Sequence, residues 1–139
     1  MNIEPFLQTM ANQQASDLFV SAGLAVSAKI DGELRALSEE SLDAEQALNL
    51  VTSIMSDKQK QEFFNTKECN FAIANDIGRF RVSAFWQRDC AGMVIRRIVT
   101  AIPDVNELGL PSVLTDVIMS KRGLVLFVGG TGTGKSTSL

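Results

Sequence analysis

Apolar residues recur along the chain with two different periods, and the switches between them mark its elements. Ile3, Phe6, Leu7 and Met10 fall at i, i+3, i+4 and i+7, which predicts an amphipathic first helix to about Gln14. Asp17 to Ser21 then reads as a strand, broken at Ala22-Gly23. Val26 to Ile30 and Glu33 to Leu37 flank Asp31-Gly32, a pair that supplies the positive φ angles of a tight two-residue turn, so the stretch reads as a hairpin. The helical period returns at Ala44, Ala47, Leu48, Val51, Ile54 and Met55, preceded by Asp43 as cap and Gln46 as its reciprocal partner. Ser56 and Gln59 repeat that capping pattern ahead of a shorter helix through Phe63-Phe64.

The second half of the pattern is strand-like. Cys69 to Ala74 reads as a strand and Asn75-Asp76-Ile77-Gly78 as a turn. Arg79 to Arg88 follows a period-2 alternation, with Phe80, Val82, Ala84 and Trp86 on one face and Arg79, Arg81, Ser83 and Gln87 mostly on the other. A turn is expected at Asp89-Cys90-Ala91-Gly92 before a last long strand from Met93 to Val99. Helices mixed with an antiparallel meander make residues 1–99 an α+β domain. Thr100-Ala101-Ile102-Pro103 marks a linker, placed at 100–110, with Asp104 and Glu107 as a capping pair. Pro111 opens a further helix through about Met119, and Lys121-Arg122-Gly123 ends it.

Composition narrows the function. The chain has 139 residues, the length of one ordinary domain, with 45% apolar and 21% charged residues and a net charge of −3. No dense Lys/Arg block is present, which argues against a nucleic-acid partner. The start Met1-Asn2-Ile3-Glu4-Pro5 reads as no signal peptide, and no apolar stretch approaches the ~18 residues of a membrane span. Cys69 and Cys90 form no close-spaced metal motif; both read as small buried hydrophobes in a reducing, cytoplasmic compartment. The absence of histidine removes imidazole acid–base chemistry and imidazole metal ligation together.

The chemistry is concentrated at the end of the chain. A short apolar run, Gly123 to Val128, is predicted to be a strand, and Gly129-Gly130-Thr131-Gly132-Thr133-Gly134-Lys135-Ser136-Thr137 follows it. Gly129, Gly134, Lys135 and Ser136 match G-x-x-x-x-G-K-[ST], the phosphate-binding loop of nucleotide-hydrolysing proteins. Glycines let the backbone curl so that successive N–H groups point into one concavity, and a helix starting at about Lys135 adds its positive end. In this pattern Lys135 reaches the β- and γ-phosphates of ATP and the Ser136 hydroxyl ligates Mg²⁺. Residues 129–137 are therefore the candidate cofactor site, with Lys135 its catalytic cation and Ser136 its metal ligand.

Arg79, Arg81, Arg88, Arg96 and Arg97 lie within 19 residues, all expected on the two long strands. Either they are a solvated sheet face, or some of them serve nucleotide, because an arginine brought to a transferring phosphoryl group raises the rate by ~10³–10⁵.

A series of short stretches in order carries a resemblance. Ala15-Ser16-Asp17-Leu18, Ile30-Asp31-Gly32-Glu33-Leu34, Gly78-Arg79-Phe80-Arg81-Val82, Glu107-Leu108-Gly109-Leu110-Pro111 and Arg122-Gly123-Leu124-Val125-Leu126 resemble the twitching-motility ATPases of the PilT/PilU type. These belong to the type II/IV secretion ATPase superfamily. Phe19, Ala25-Val26, Gly130 and Phe85-Trp86-Gln87-Arg88 depart from the PilT pattern and lean toward the PilU subtype. The resemblance implies a PAS-like N-terminal domain (1–99), a linker (100–110) and the first strand and phosphate loop of a RecA-like α/β motor domain (111–139), truncated after that loop. It also implies a homo-hexamer at the cytoplasmic face of the inner membrane, peripheral to the membrane at most, that uses ATP hydrolysis to retract type IV pilus fibres. An inner-membrane pilus platform and a sister retraction ATPase are its implied partners. By motif, Arg81 and Arg96 are the arginines implied to serve nucleotide, ahead of Arg79 and Arg97. The acidic residues that complete catalysis are expected after Leu139, so these 139 residues alone are expected to hydrolyse no ATP. A pilus-assembly or secretion ATPase of the same superfamily is the alternative, and a stand-alone interaction module the alternative from another class.

Overall fold

The computed structural model describes residues 2–99, 104–130 and 133–138, and its chain divides into two units, Met1–Val99 and Thr100–Leu139. In the first unit the elements run α1 (Glu4–Asn12), β1 (Asp17–Ser21), β2 (Ala25–Ile30), β3 (Glu33–Ser41), α2 (Ala44–Ser53), α3 (Asp57–Thr66), β4 (Glu68–Asn75), β5 (Gly78–Gln87) and β6 (Cys90–Ile98). The strands form one six-stranded sheet in the order β3-β2-β1-β6-β5-β4, every neighbouring pair antiparallel. Two three-stranded meanders, β1-β2-β3 and β4-β5-β6, are thus joined edge to edge by β1 against β6. The fold is α+β, as expected.

Local chemistry places the elements. Asp43 accepts from the Gln46 backbone N–H at 2.7 Å while the Gln46 side chain accepts from the Asp43 N–H at 2.9 Å, so the expected capping box closes. Ser56 and Gln59 close the second one. Asp31 and Gly32 both have positive φ (52° and 84°), giving the tight β2–β3 hairpin. The β5–β6 turn differs from its expectation: it is made by Arg88 and Asp89, with φ of 51° and 59°, and Cys90, Ala91 and Gly92 already belong to β6. Gln87 pairs with Cys90, so a two-residue turn joins the strands and Arg88 leaves the strand for the turn. β3 also runs four residues past the predicted Leu37, through the polar Ser38-Glu39-Glu40-Ser41.

Alternation along the strands divides the sheet into two faces. Leu18, Val20, Val26, Ala28, Ile30, Phe80, Val82, Ala84, Met93 and Ile95 point to one side, where Leu7, Met10, Ala47, Leu50, Val51 and Phe63 of the helices complete a single core. No helix of the first unit takes part in the other face, which carries Arg79, Arg81, Ser83, Val94, Arg96 and Lys29 at paired positions. Trp86, at the end of the core face, stacks 5.9 Å from the Phe63 ring and lies under the Lys67 ammonium at 4.5 Å.

The second unit is described separately. Its described residues hold α4 (Val113–Ile118) and α5 (Lys135–Ser138). Val125 and Phe127 line a small apolar hollow with Leu110, Leu114 and Val117. The strand expected over Gly123–Val128 is not formed. A strand needs a neighbour for its N–H and C=O groups, and among the described residues of this unit there is none; Leu124, Leu126 and Val128 stand exposed. The linker residues 100–103 lie outside the described residues. Among the described residues no helix is long and apolar enough to cross a membrane.

Candidate functional site

The phosphate-loop residues bring together an N-terminal helix turn, a lysine and two close-packed backbone segments. Gly134 has φ of 85°, a left-handed conformation that favours glycine, and it turns the chain into α5. The Thr137 and Ser138 N–H groups donate back to the Gly134 carbonyl at 3.1 and 3.0 Å, so the first turn closes and the helix begins at Lys135, as predicted. At the other end, a Cβ on Gly129 would stand 2.7 Å from Thr133 Oγ1, so a side chain there would require the Thr133 hydroxyl to move. Thr133 Oγ1 donates to the Gly130 carbonyl at 2.8 Å. The Lys135 ammonium donates to the carbonyls of Gly129, at 2.8 Å, and Gly130. Its charge is therefore held inside the loop by neutral carbonyl acceptors, and an anionic phosphate oxygen would add the charge–charge attraction that they lack. Ser136 and Thr137 occupy the first turn with their hydroxyls unassigned to any protein acceptor among the described hydrogen bonds. Thr131 and Gly132, predicted to line the same loop, lie outside the described residues. The Lys135 ammonium and the helix start are donors of the kind that suit phosphate oxygens, and the Ser136 and Thr137 hydroxyls would be the oxygens open to a divalent cation.

The five arginines do not form one cluster. Arg79, Arg81 and Arg96 share the open sheet face; Arg97 faces the helices and donates to the Ala11 carbonyl near the end of α1 at 3.3 Å; Arg88 sits in the β5–β6 turn. Strand alternation separates Arg96 from Arg97, and the two-residue turn removes Arg88. On the open face, antiparallel register sets one row straight across four strands: Lys29, Asp17, Arg96 and Arg81. Arg81 and Arg96 line a shallow depression of about 300 Å³ with Ser83 and Val94. The row carries three cations against one carboxylate, a net of two positive charges.

Asp17 is the part of this row that sequence reasoning missed as a site residue. It is only 8% exposed, and its Oδ1 accepts from Arg96 Nε at 2.8 Å while Oδ2 accepts from Ser16 Oγ at 2.9 Å. Burial pushes its carboxyl up, but the hydrogen bonds from Arg96 and Ser16 and the charges of Arg96 and Lys29 outweigh that and hold it below its ordinary value. Arg81 makes no ion pair among the described residues. No local signal links residues 17 and 96; the register of β1 against β6 does.

The cysteines are free. Cys69 is buried, and burial followed by the nearby Glu62 charge pushes its thiol up, which makes it inert. Cys90 is only half-buried, contrary to expectation, because it begins β6 and lines a hollow of about 500 Å³ at the turn end of the sheet. Among the described residues no group of His, Cys, Asp and Glu could hold a metal.

The family model for the type II/IV secretion system protein matches residues 1–139. Type IV pilus ATPase PilU of Pseudomonas aeruginosa is 49% identical over 140 residues, covering 100% of this chain and 37% of PilU. Type IV pilus retractation ATPase PilT of the same organism is 41% identical, covering 100% of this chain and 41% of PilT. In structure the chain matches the pilus retraction motor PilT, solved with bound ADP, at a TM-score of 0.81 and 31% identity, covering 99% of this chain and 41% of that one. The chain thus spans well under half the length of these relatives. Matched along its whole length by the family model and by the fold, the chain belongs to the type II/IV secretion system protein family.

Proposed function

We propose that this chain is the N-terminal portion of a hexameric ATPase that drives type IV pilus retraction. The observation that carries the reading is the combination, in one chain, of a phosphate loop closed on Lys135 with an open sheet face whose Arg81 has no ion-pair partner among the described residues. The names of the similar proteins support it: a type IV pilus ATPase and a retraction ATPase, the latter also solved with ADP. Residues 1–99 form the N-terminal domain, 100–110 the linker, and 111–139 open the motor domain. The loop from Gly129 to Thr137 holds ATP, Lys135 binds the β- and γ-phosphates, and Ser136 ligates Mg²⁺. Arg81 and Arg96 meet phosphate oxygens and neutralise charge there. An inner-membrane pilus platform and a sister retraction ATPase are its partners, and it works at the cytoplasmic face of the inner membrane. The exposed run 124–128 is the first strand of the motor sheet and pairs with strands supplied by the rest of that domain; the 139 residues alone turn over no ATP.

A Lys135→Ala allele of the full-length protein in its source cells tests this. Retraction failure leaves pili extended and accumulating on the surface; that is the expected result. Loss of surface pili would assign the protein to assembly instead, and unchanged pili and motility would refute both.

A further inference from the structure

Arg96 is held from one side only. Of its five N–H donors, Nε is committed to Asp17 Oδ1 at 2.8 Å, and Nη1 and Nη2 donate to nothing among the described residues. Asp17 is anchored in turn. Its second oxygen accepts from the Ser16 hydroxyl, and the Ser16 backbone is fixed by its N–H donating to the Lys29 carbonyl at 2.9 Å and its carbonyl accepting from the Arg97 N–H at 3.0 Å. The carboxylate is nearly buried, whereas the Arg96 side chain keeps 71% of its exposure. An ion pair with one partner so exposed adds little to stability. What the arrangement does achieve is a fixed direction for a long side chain in a residue that lines the depression shared with Arg81 and Ser83.

We infer that Asp17 is a positioning residue for nucleotide: by gripping Arg96 at Nε it presents the free end of the guanidinium, together with Arg81, to a phosphate oxyanion. This rests on the proposed role of Arg81 and Arg96. A preoriented guanidinium loses less side-chain freedom when it binds, so the gain is realised at the ligand rather than in the fold.

The test is a double-mutant cycle on ATP hydrolysis by the full-length protein, with melting temperature measured alongside. Arg96→Ala and Asp17→Asn are each expected to lower kcat/KM about tenfold, the worth of one charge-assisted hydrogen bond. The double variant should fall no further than Arg96→Ala alone. Ser16→Ala, an exposed position that removes the second hold on Asp17, should give a smaller loss in wild type and none beside Arg96→Ala; it keeps the question open to measurement if Asp17→Asn fails to fold. Additive losses, or an Asp17→Asn variant with lower melting temperature and unchanged kinetics, would overturn the positioning role while leaving the arginines in place. If Arg81→Ala and Arg96→Ala both leave kcat/KM unchanged, the arginine reading itself fails.

Discussion

Arg81 offers a sharp prediction because its surroundings make it a liability in the free domain. It stands directly opposite Arg96 across the β5–β6 ladder, and the only carboxylate in its row, Asp17, is committed to Arg96. Like charges opposed on one sheet face destabilise, within a range of about 0.2–1 kcal/mol for cross-strand pairs. Both guanidinium groups are largely exposed, so the lower part of the range applies, about 0.2–0.5 kcal/mol. Arg81→Gln keeps most of the side chain and removes the charge. In residues 1–99, which contain the whole described core from Ile3 to Ile95, the variant should therefore melt roughly 1–4 °C higher at low salt. The gain should vanish near 1 M salt, where the screening length falls to about 3 Å from about 30 Å at 0.01 M. In the full-length protein the same change should lower ATP turnover, a residue that costs stability in order to serve a ligand. Thermal melts at the two salt concentrations decide it. A variant that melts lower, or a gain indifferent to salt, would show that Arg81 is retained for packing and would remove the physical reason for assigning it to phosphate.

Two further outcomes follow from the geometry of the first unit. Because the Asp17 carboxyl is held below its ordinary value of 3.8, its contribution to stability is complete above the unfolded-state value and is lost as pH falls through the folded one. Urea midpoints of wild type and Asp17→Asn should thus differ above pH 3.8 and draw together as the pH falls below it; a constant difference would contradict the sign. Gly92→Ala should cost about 1–3 kcal/mol, since its Cβ would lie 3.1 Å from Phe85 Cε2 and 3.2 Å from the Val20 carbonyl oxygen, a backbone atom that cannot swing away. A chemical denaturation curve within error of wild type would show that β1 and β6 separate more readily than the structure implies.

The sequence carried the elements whose causes are local. Asp43 with Gln46, Ser56 with Gln59, and Asp31-Gly32 each fix a boundary through neighbours no more than three residues away, and all three form as read. The alternation of β5 was equally legible, because Phe80, Val82 and Ala84 need only their own strand to define a face. The misreadings arise where pairing decides. Cys90-Ala91-Gly92 looked like a turn from its small residues, yet opposite Gln87, Trp86 and Phe85 it is a strand, and Arg88 and Asp89 adopt left-handed conformations to allow it. Ser38 to Ser41 has no apolar pattern, and it carries β3 across an irregularity to rejoin β2 where Ser41 pairs with Ala25. Gly123 to Val128 is the reverse case, a strand composition without a partner among the described residues. At the candidate site the phosphate loop was readable as a motif, but the division of the arginines between two faces and a turn, and the grip of Asp17 on Arg96, emerge only from register.

By the proposed function, Lys135 and the open-face arginines both contribute to ATP hydrolysis. Steady-state phosphate release from ATP by the full-length protein, measured for wild type, Lys135→Ala and Arg81→Ala, tests it most directly. Turnover should be Mg²⁺-dependent in wild type, absent above background for Lys135→Ala, and at least about tenfold lower for Arg81→Ala. Turnover unchanged by Lys135→Ala would contradict the phosphate-loop assignment, and turnover unchanged by Arg81→Ala would detach the first unit from the chemistry.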